Sequence, residues 1–566
     1  MKTKFIFFSI SVFISVIVNA QQYYKFDDFQ IKPFEKEIYK ADSLNNFHSS
    51  IKPYSDIDIS RIPKSDSVSN ILKNKKTKTL GGRILFNEPL IKFDKKKFYF
   101  DLSIPEFTAE YNYDVREKQS NFETGIGGEF NFKYSNKLAL FADFTYNYSM
   151  YPLFIQDKIE KSKVVPGQGF ANDNNAIIST IPFFYRRNYD YNNYNYYLSY
   201  NIYKYFNLQL GQGKNFFGDG YRSMFLSNNS CNYPYFKITT TIWKIKFVNL
   251  FTEMKDFDWN GNDIIRYRKK YGAFHYLSWN VNKRLNLSFF ESVISYGKDS
   301  TTNKSFDLSY LNPVVFYRPV EFSNGNPSNS FMGFGTKYKI AKKNVVYVQI
   351  LIDDMILSDI RADIKHIFKP IDKKNTKWGH WMGKQSAQFG FKSFDILKVN
   401  NLNIQSEINF VRPYTYSHRY VLQNYSNYNQ PLAHPMGANF WESVNFLKYN
   451  FKKIFFEMEF IYAVIGYDTN GSHFGQDIYK LSFDSNIPGA NNIIVPKFYH
   501  NYIGQGITTH FIYSNFKISY LINYKTNFRI EAGITNANIY SKLEHKNQQF
   551  YYIGIRTTLD NCYWDY

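Results

Sequence analysis

Residues 128–148 read GEFNFKYSNKLALFADFTYNY, and their alternation decides the fold class. Polar and aromatic residues alternate over 128–134, Ser135-Asn136 offers a turn, and Leu138, Leu140, Ala142, Phe144 and Tyr146 then step out of phase with their neighbours. A period of two on both sides of a tight turn specifies an antiparallel hairpin. The unit recurs. Residues 273–281 and 285–296 flank Asn282-Lys283-Arg284, 438–451 and 455–465 flank Lys452-Lys453, and 511–513 and 516–524 flank Ser514-Asn515. Residues 235–251 read as one further strand, and 549–559, QFYYIGIRTTL, close the series.

Roughly sixteen to eighteen such strands are expected, many near the length of about ten residues that crosses a bilayer on a tilt. Short Asn/Lys/Ser turns alternate with long polar insertions, as at 157–175 and 414–435. That asymmetry belongs to an outer-membrane barrel, with short turns on the periplasmic side and long loops outside. A large soluble sandwich is the competing all-β fold, and it has no need of rings so dense at strand ends. In hydrocarbon an antiparallel sheet satisfies every amide only by closing on itself.

Composition agrees with half-polar strands. Aromatics make up 20% of the 566 residues, Tyr 50 and Phe 56 among them, yet the mean hydropathy is −0.44. The N-terminus reads as a secretory signal over residues 1–20. Lys2 and Lys4 precede the apolar run FIFFSISVFISVIV at 5–18, and Val18-Asn19-Ala20 suits a peptidase. The run is short for a retained anchor. Cleavage near Ala20 leaves residues 21–95 as a periplasmic, extended or partly helical segment, and 96–566 as the barrel. Two cysteines, Cys231 and Cys562, exclude a disulfide scaffold and leave their own pairing open. The net charge of +21, from 69 basic and 48 acidic residues, points behind a signal peptide to acidic polysaccharide and outer-membrane lipids as partners rather than nucleic acid.

The stretch GQGKNFFGDGYRS, residues 211–223, resembles a phosphate loop at first sight. It fails the test. Asn215 follows Lys214 where a Walker loop needs Ser or Thr, the Rossmann spacing is missing, and both flanks are strands where a phosphate site needs a helix N-terminus. HExxH and GxSxG are absent. No enzyme, catalytic residue, cofactor or metal is expected. His418 and His434 in one insertion make a weak metal signal without cysteine. Tyrosine-rich text at 186–205 and 425–431 suits sugar stacking as well as an interfacial belt.

The block GQGKNFFGDGYRSMFLSNNSCNYPYFKI, 211–238, resembles the Wzi-like capsule-assembly proteins in their Bacteroidetes branch, which includes RemB-like gliding-motility proteins. LNPVVFYRPVEFSNGNPSNSFMGFG at 311–335, WGHWMGKQSAQFGFK at 378–392 and VRPYTYSHRYVLQNYSNYNQPLAHPMGANFWE at 411–442 agree in order. Val348 departs from the pattern, standing where a glycine is expected. The resemblance implies an eighteen-stranded outer-membrane barrel with periplasmic helical elements, and surface retention of capsular polysaccharide as a lectin. No binding residue carries over from it.

The expected function is therefore a non-enzymatic outer-membrane barrel that binds or organises capsular polysaccharide. Ligand candidates are Lys214, Asp219, Arg222, Arg318, Asn326, Arg412, His418 and Arg419, and a lumen ion-pair network is their alternative role. A component of gliding-motility or secretion machinery, partnered by export or motility proteins, is a second function, and a diffusion porin a third. Whether residues 21–95 plug the barrel or lie beneath it is open at this point.

Overall fold

A computed structural model describes residues 21–566 except 40–46, 63–64, 75–76, 87–88, 96, 136, 174–187, 261–262, 298–307, 313–327, 355–356, 369–376, 470–471, 481–496 and 558–563. The residues proposed as a signal, Arg318, Asn326 and Cys562 therefore lie outside the described residues.

Among the described residues, eighteen strands form one closed antiparallel barrel. They are β1 (Phe98–Asp114), β2 (Gln119–Tyr134), β3 (Leu138–Met150), β4 (Tyr189–Tyr203), β5 (Phe206–Gly213), β6 (Tyr233–Ile242), β7 (Ile245–Asn260), β8 (Asp263–Asn280), β9 (Leu285–Tyr296), β10 (Asn329–Ala341), β11 (Asn344–Asp354), β12 (Lys384–Phe394), β13 (Leu402–Val411), β14 (Phe440–Phe451), β15 (Ile454–Tyr467), β16 (Ile507–Asn523), β17 (Phe528–Tyr540) and β18 (His545–Arg556). Each pairs with the next, and β18 returns to β1 in the register Phe550↔Asp114 to Arg556↔Thr108. Closure leaves the wall no edge, which is the condition for a sheet to live in hydrocarbon.

Two expected boundaries are corrected. Residues 235–251 are not one strand but parts of β6 and β7, which turn at Trp243-Lys244 with Trp243 at φ +53°. A tryptophan in a left-handed turn carries none of the usual turn chemistry. Conversely, Ser514-Asn515 makes no turn. Ser514 pairs with Phe460 on β15 and Asn536 on β17, and Asn515 accepts hydrogen bonds from Tyr552 Oη at 3.1 Å and Thr535 Oγ1 at 3.2 Å. A polar pair inside a strand imitated a hairpin.

The wall is apolar outside and polar inside. On β5 Leu210 is 61% exposed while its neighbour Gln209 is 1% exposed. Asn147, Ser199, Lys237, Lys337, Gln349, Gln388 and Glu407 are buried the same way. These groups need partners once they leave water. The N-terminal segment supplies many at the short-turn end of the barrel. It contains α1 (Asp28–Tyr39) and α2 (Asp56–Ser60), the latter started by Ser55, whose Oγ accepts from Asp58 N at 3.1 Å.

This segment reaches wall strands around the whole circumference. Lys25 pairs with Glu106 at 2.6 Å, Asp143 at 3.0 Å and Glu129 at 3.1 Å. Lys32 meets Glu457 at 2.6 Å, Glu35 meets Lys392 at 2.8 Å, Asp58 meets Lys246 at 3.0 Å, and Asp27 meets Arg529 at 3.1 Å. An apolar cluster of Phe34, Ile38, Tyr39, Phe47, Tyr54, Ile59 and Ile62 closes on wall residues Val345 and Phe394. The segment therefore sits within the end of the barrel rather than beneath it.

His48 reports on this docking. It lies 2.9 Å from Ser278 Oγ, and burial, with Lys246 alongside, pushes its imidazole down to about 3. An undocked histidine titrates near about 6.5. The undocked form thus gains a proton that the docked form refuses as pH falls through that range. Thermal stability in detergent is expected to hold above about pH 6.5 and to fall below it, at up to about 1.4 kcal/mol per pH unit. His48→Gln should flatten the profile between about pH 6.5 and 5. A variant with the wild-type slope would remove His48 from the account.

Candidate functional site

The loop between β5 and β6, residues 214–232, enters the lumen instead of leaving the barrel. Phe216-Phe217 pairs with Ile51-Lys52 as a two-stranded ribbon, so the N-terminal segment and this loop are joined by backbone. Phe217 stacks flat on Tyr276 of β8 with ring centroids 4.6 Å apart. Gly218 then sits at φ +153° and donates its amide to Ser50 O at 2.8 Å. That backbone conformation favours glycine, and a Cβ there would also press on Gln349 Nε2 at 2.5 Å.

Asp219 is buried below this point. Its Oδ1 accepts from Ser49 Oγ at 2.5 Å and Tyr39 Oη at 3.2 Å, with Lys337 Nζ at 3.5 Å. Burial opposes its charge, yet Lys337 and Ser49 together hold the carboxyl below its ordinary value. Arg222 is the centre of a second network. Its guanidinium lies 2.9 Å from Asp565 and 3.3 Å from Glu442, and the backbone amides of Tyr221 and Arg222 donate to the Glu407 carboxylate. Glu442 also meets His434 Nε2 at 2.7 Å and Asn409 Nδ2 at 2.9 Å. Burial pushes the His434 imidazole down, with Glu442 working against it. Met224, Phe225 and Leu226 follow, all fully buried.

A second insertion, between β13 and β14, descends onto the first. Tyr416 Oη donates to Met224 O at 2.9 Å, Tyr425 Oη to Phe225 O at 2.6 Å, and Ser227 N to Leu432 O at 2.8 Å. The three inward parts thus form one interlocked plug. Among the described residues the lumen retains a cavity of about 160 Å³ lined by Glu110, Glu459, Lys517, Arg529 and Asp565, and one of about 110 Å³ beside α1. These hold a few waters each.

The candidates therefore separate. Lys214, whose Nζ donates to Gly167 O at 2.6 Å, is buried with Asp219 and Arg222 in the plug. Arg412, His418 and Arg419 lie together at the long-loop end. Arg412 pairs with Asp363 of the helix Leu357–Phe368. Arg419 is exposed, its guanidinium 5.1 Å from the Tyr420 ring. Burial pushes the His418 imidazole down to about 3.

Sequence reasoning did not single out the rings next to them. Trp378 stacks on His366 at 4.0 Å and 4°, with His500 5.2 Å away, and Trp381 packs on Tyr414 at 6.2 Å. His380 lies 3.1 Å from Asp359. These residues come from three separate insertions, so no local spacing announces them. Among the described residues no His/Cys/Asp/Glu group could hold a metal ion.

No protein-family model matches the chain, and no curated protein matches it. Solved structures do. Wzi, an outer-membrane protein involved in group 1 capsule assembly in Escherichia coli and a carbohydrate-binding β-barrel, is 12% identical, with a TM-score of 0.51 over 95% of this chain and 100% of that one. OccK1 (OpdK) of Pseudomonas aeruginosa is 8% identical over 81% of this chain and 98% of its own, with a TM-score of 0.42. OccAB4 of Acinetobacter baumannii is 9% identical over 82% and 99%, with a TM-score of 0.38. At these identities the likeness to Wzi is one of fold. The fold is that of an outer-membrane β-barrel.

Arg222→Met leaves the buried carboxylates of Asp565 and Glu442 without their shared cation, a change that costs about 3–5 kcal/mol for buried pairs. The heat-modifiable gel shift should move to clearly lower temperature, while Arg419→Ala at the exposed end should stay within about 0.5 kcal/mol of wild type. Equal effects would mean the Arg222 network does not hold the plug. In planar bilayers the intact protein should show no steady stepwise conductance, and ohmic steps at low voltage would show an open lumen.

Proposed function

We propose that this chain is a non-enzymatic outer-membrane barrel of the Wzi-like kind that binds or organises acidic surface polysaccharide, in capsule assembly or attachment. The carrying observation is the division of labour between the two ends. The lumen is spent on the plug, and the long-loop end carries rings, imidazoles and charges side by side. Trp378, half-buried between His366 and His500, belongs to an aromatic patch of the kind that sugar rings stack against. Arg419 beside Tyr420 offers a cation for a carboxylate, with the neutral His418 ring next to Tyr420. Lys384 links the two parts, its Nζ donating to Ser417 O at 3.0 Å and lying 5.9 Å from the Trp381 ring.

In this reading Lys214, Asp219 and Arg222 hold the plug and do not touch ligand. The short-turn end faces the periplasm and the long loops face outward. The Bacteroidetes, RemB-like placement rests on the sequence blocks alone, and capsule organisation rather than the motility machinery is the function advanced. The filled lumen weighs against a diffusion porin.

Purified protein is expected to retain an acidic capsular polysaccharide over a neutral glucan on a glycan surface. Trp378→Ala should weaken retention about five- to tenfold, the worth of one ring contact. Arg419→Ala should weaken retention and lower its salt sensitivity, because one screened ionic contact is gone. Absence of glycan binding, together with capsule still attached in a deletion strain, contradicts the proposal.

A further inference from the structure

The outer wall has a feature that plain lipid-facing strands lack. Leu140, Leu198, Leu210, Phe236, Phe251 and Ala273 are successive cross-strand partners from β3 to β8. They form one outward row. At the Ala273 end the row is covered. Tyr310, from the short helical turn Leu308–Leu311, is 1% exposed and packs on Phe251, Ala273 and Val293, with its hydroxyl 2.8 Å from Ser328 Oγ. At the other end Leu198 and Leu210 are bare. Between them lies an outward cavity of about 760 Å³, floored by the short side chains of Ala142 and Pro234 and walled by Tyr196, Leu210 and Phe251. That volume falls within the range of about 300–1,000 Å³ usual for ligand sites.

Charge sits directly above it. Proceeding towards the long loops, the next outward pairs of β7 and β8 are Glu253↔Tyr271, Lys255↔Lys269 and Phe257↔Tyr267. Like charges directly opposite one another destabilise a sheet. Glu253, at the rim of the cavity, lies 3.0 Å from Lys269 Nζ, and Lys255 Nζ lies 5.8 Å from the centre of the Tyr267 ring. The Lys269 side chain is 56% exposed. Glu253 pairs with Lys269 while Lys255 lies over the Tyr267 ring, so net positive charge remains at the mouth of an apolar groove. Tyr194, Tyr196 and Tyr267 are exposed on this part of the wall, rings of the kind that barrels place in their interfacial belt.

The geometry points to a binding site for an anionic, acyl-chained lipid of the outer leaflet, with its chain in the groove between Leu198, Leu210 and Phe251 and its phosphate against Lys255 and Lys269. An apolar slot inside the hydrocarbon band with a cation pair at the headgroup level matches such a lipid at both ends. A zwitterionic lipid supplies its own ammonium beside its phosphate and neutralises the lysine pair less well. The site is independent of the glycan reading, since it shares no residue with the long-loop cluster.

The test is native mass spectrometry of the full-length protein in detergent, titrated with bisphosphorylated lipid A and separately with phosphatidylethanolamine. Wild type should hold one tight lipid A adduct and no comparable phosphatidylethanolamine adduct. Lys255→Gln and Lys269→Gln should each weaken it about fivefold, the worth of one lysine near an anionic headgroup. Ala142→Trp should remove it by filling the groove, while Leu447→Trp on a distant part of the outer wall should bind as wild type. The heat-modifiable gel shift checks folding, and if Ala142→Trp fails it the lysine variants decide alone. Equal binding of both lipids, lysine variants that bind like wild type, or a dimer whose contact Ala142→Trp abolishes would each overturn the proposal.

Discussion

Arg222 sits where the separate parts of this chain meet. Its guanidinium joins Glu442 of the wall to Asp565 near the last residues, and its backbone is held by Glu407 on the neighbouring strand. Removing a charge from water is costly, and the cost is met only when partners surround it. Here the partners are fixed by a closed wall, so the loop carrying Arg222 has one place to go. Met224, Phe225 and Leu226 then fall under Tyr416 and Tyr425, and Phe217 reaches the N-terminal segment as a strand partner. The plug is a consequence of the wall's own inversion. A barrel that turns apolar residues to lipid turns Gln349, Glu407 and Lys337 inward, and the chain's own segments satisfy them.

The wall was largely legible in the sequence because its signal is local. Alternation over 128–148 marks β2 and β3 without knowledge of any other strand, and Lys452-Lys453 marks a real turn. The two corrected boundaries show the limit of that signal. Trp243-Lys244 turns without turn residues, while Ser514-Asn515 has them and stays straight, because a lumen-facing asparagine can be satisfied by Tyr552 and Thr535 across the sheet.

The site was less legible, for a physical reason. Lys214, Asp219 and Arg222 stand out as charges in a glycine-rich stretch, but their roles depend on Gly167, Lys337, Glu442 and Asp565. Nothing in the spacing of the chain joins these residues; only closure of the wall does. The Trp378 cluster is the same case at the surface. His366 and His500 come from different insertions, and single rings in loops carry no period. The function proposed for the long-loop end rests on a plug whose members are identifiable only in three dimensions.

Amide hydrogen exchange in the 214–226 loop tests the interlocked plug most directly. Gly218 N donates to Ser50 O, Arg222 N to Glu407 and Met224 N to Gln349 Oε1. If the three inward parts form one body, these amides exchange as slowly as those of β13 and β14. Exchange at the rate of an exposed loop, with the wall strands still protected, would contradict it.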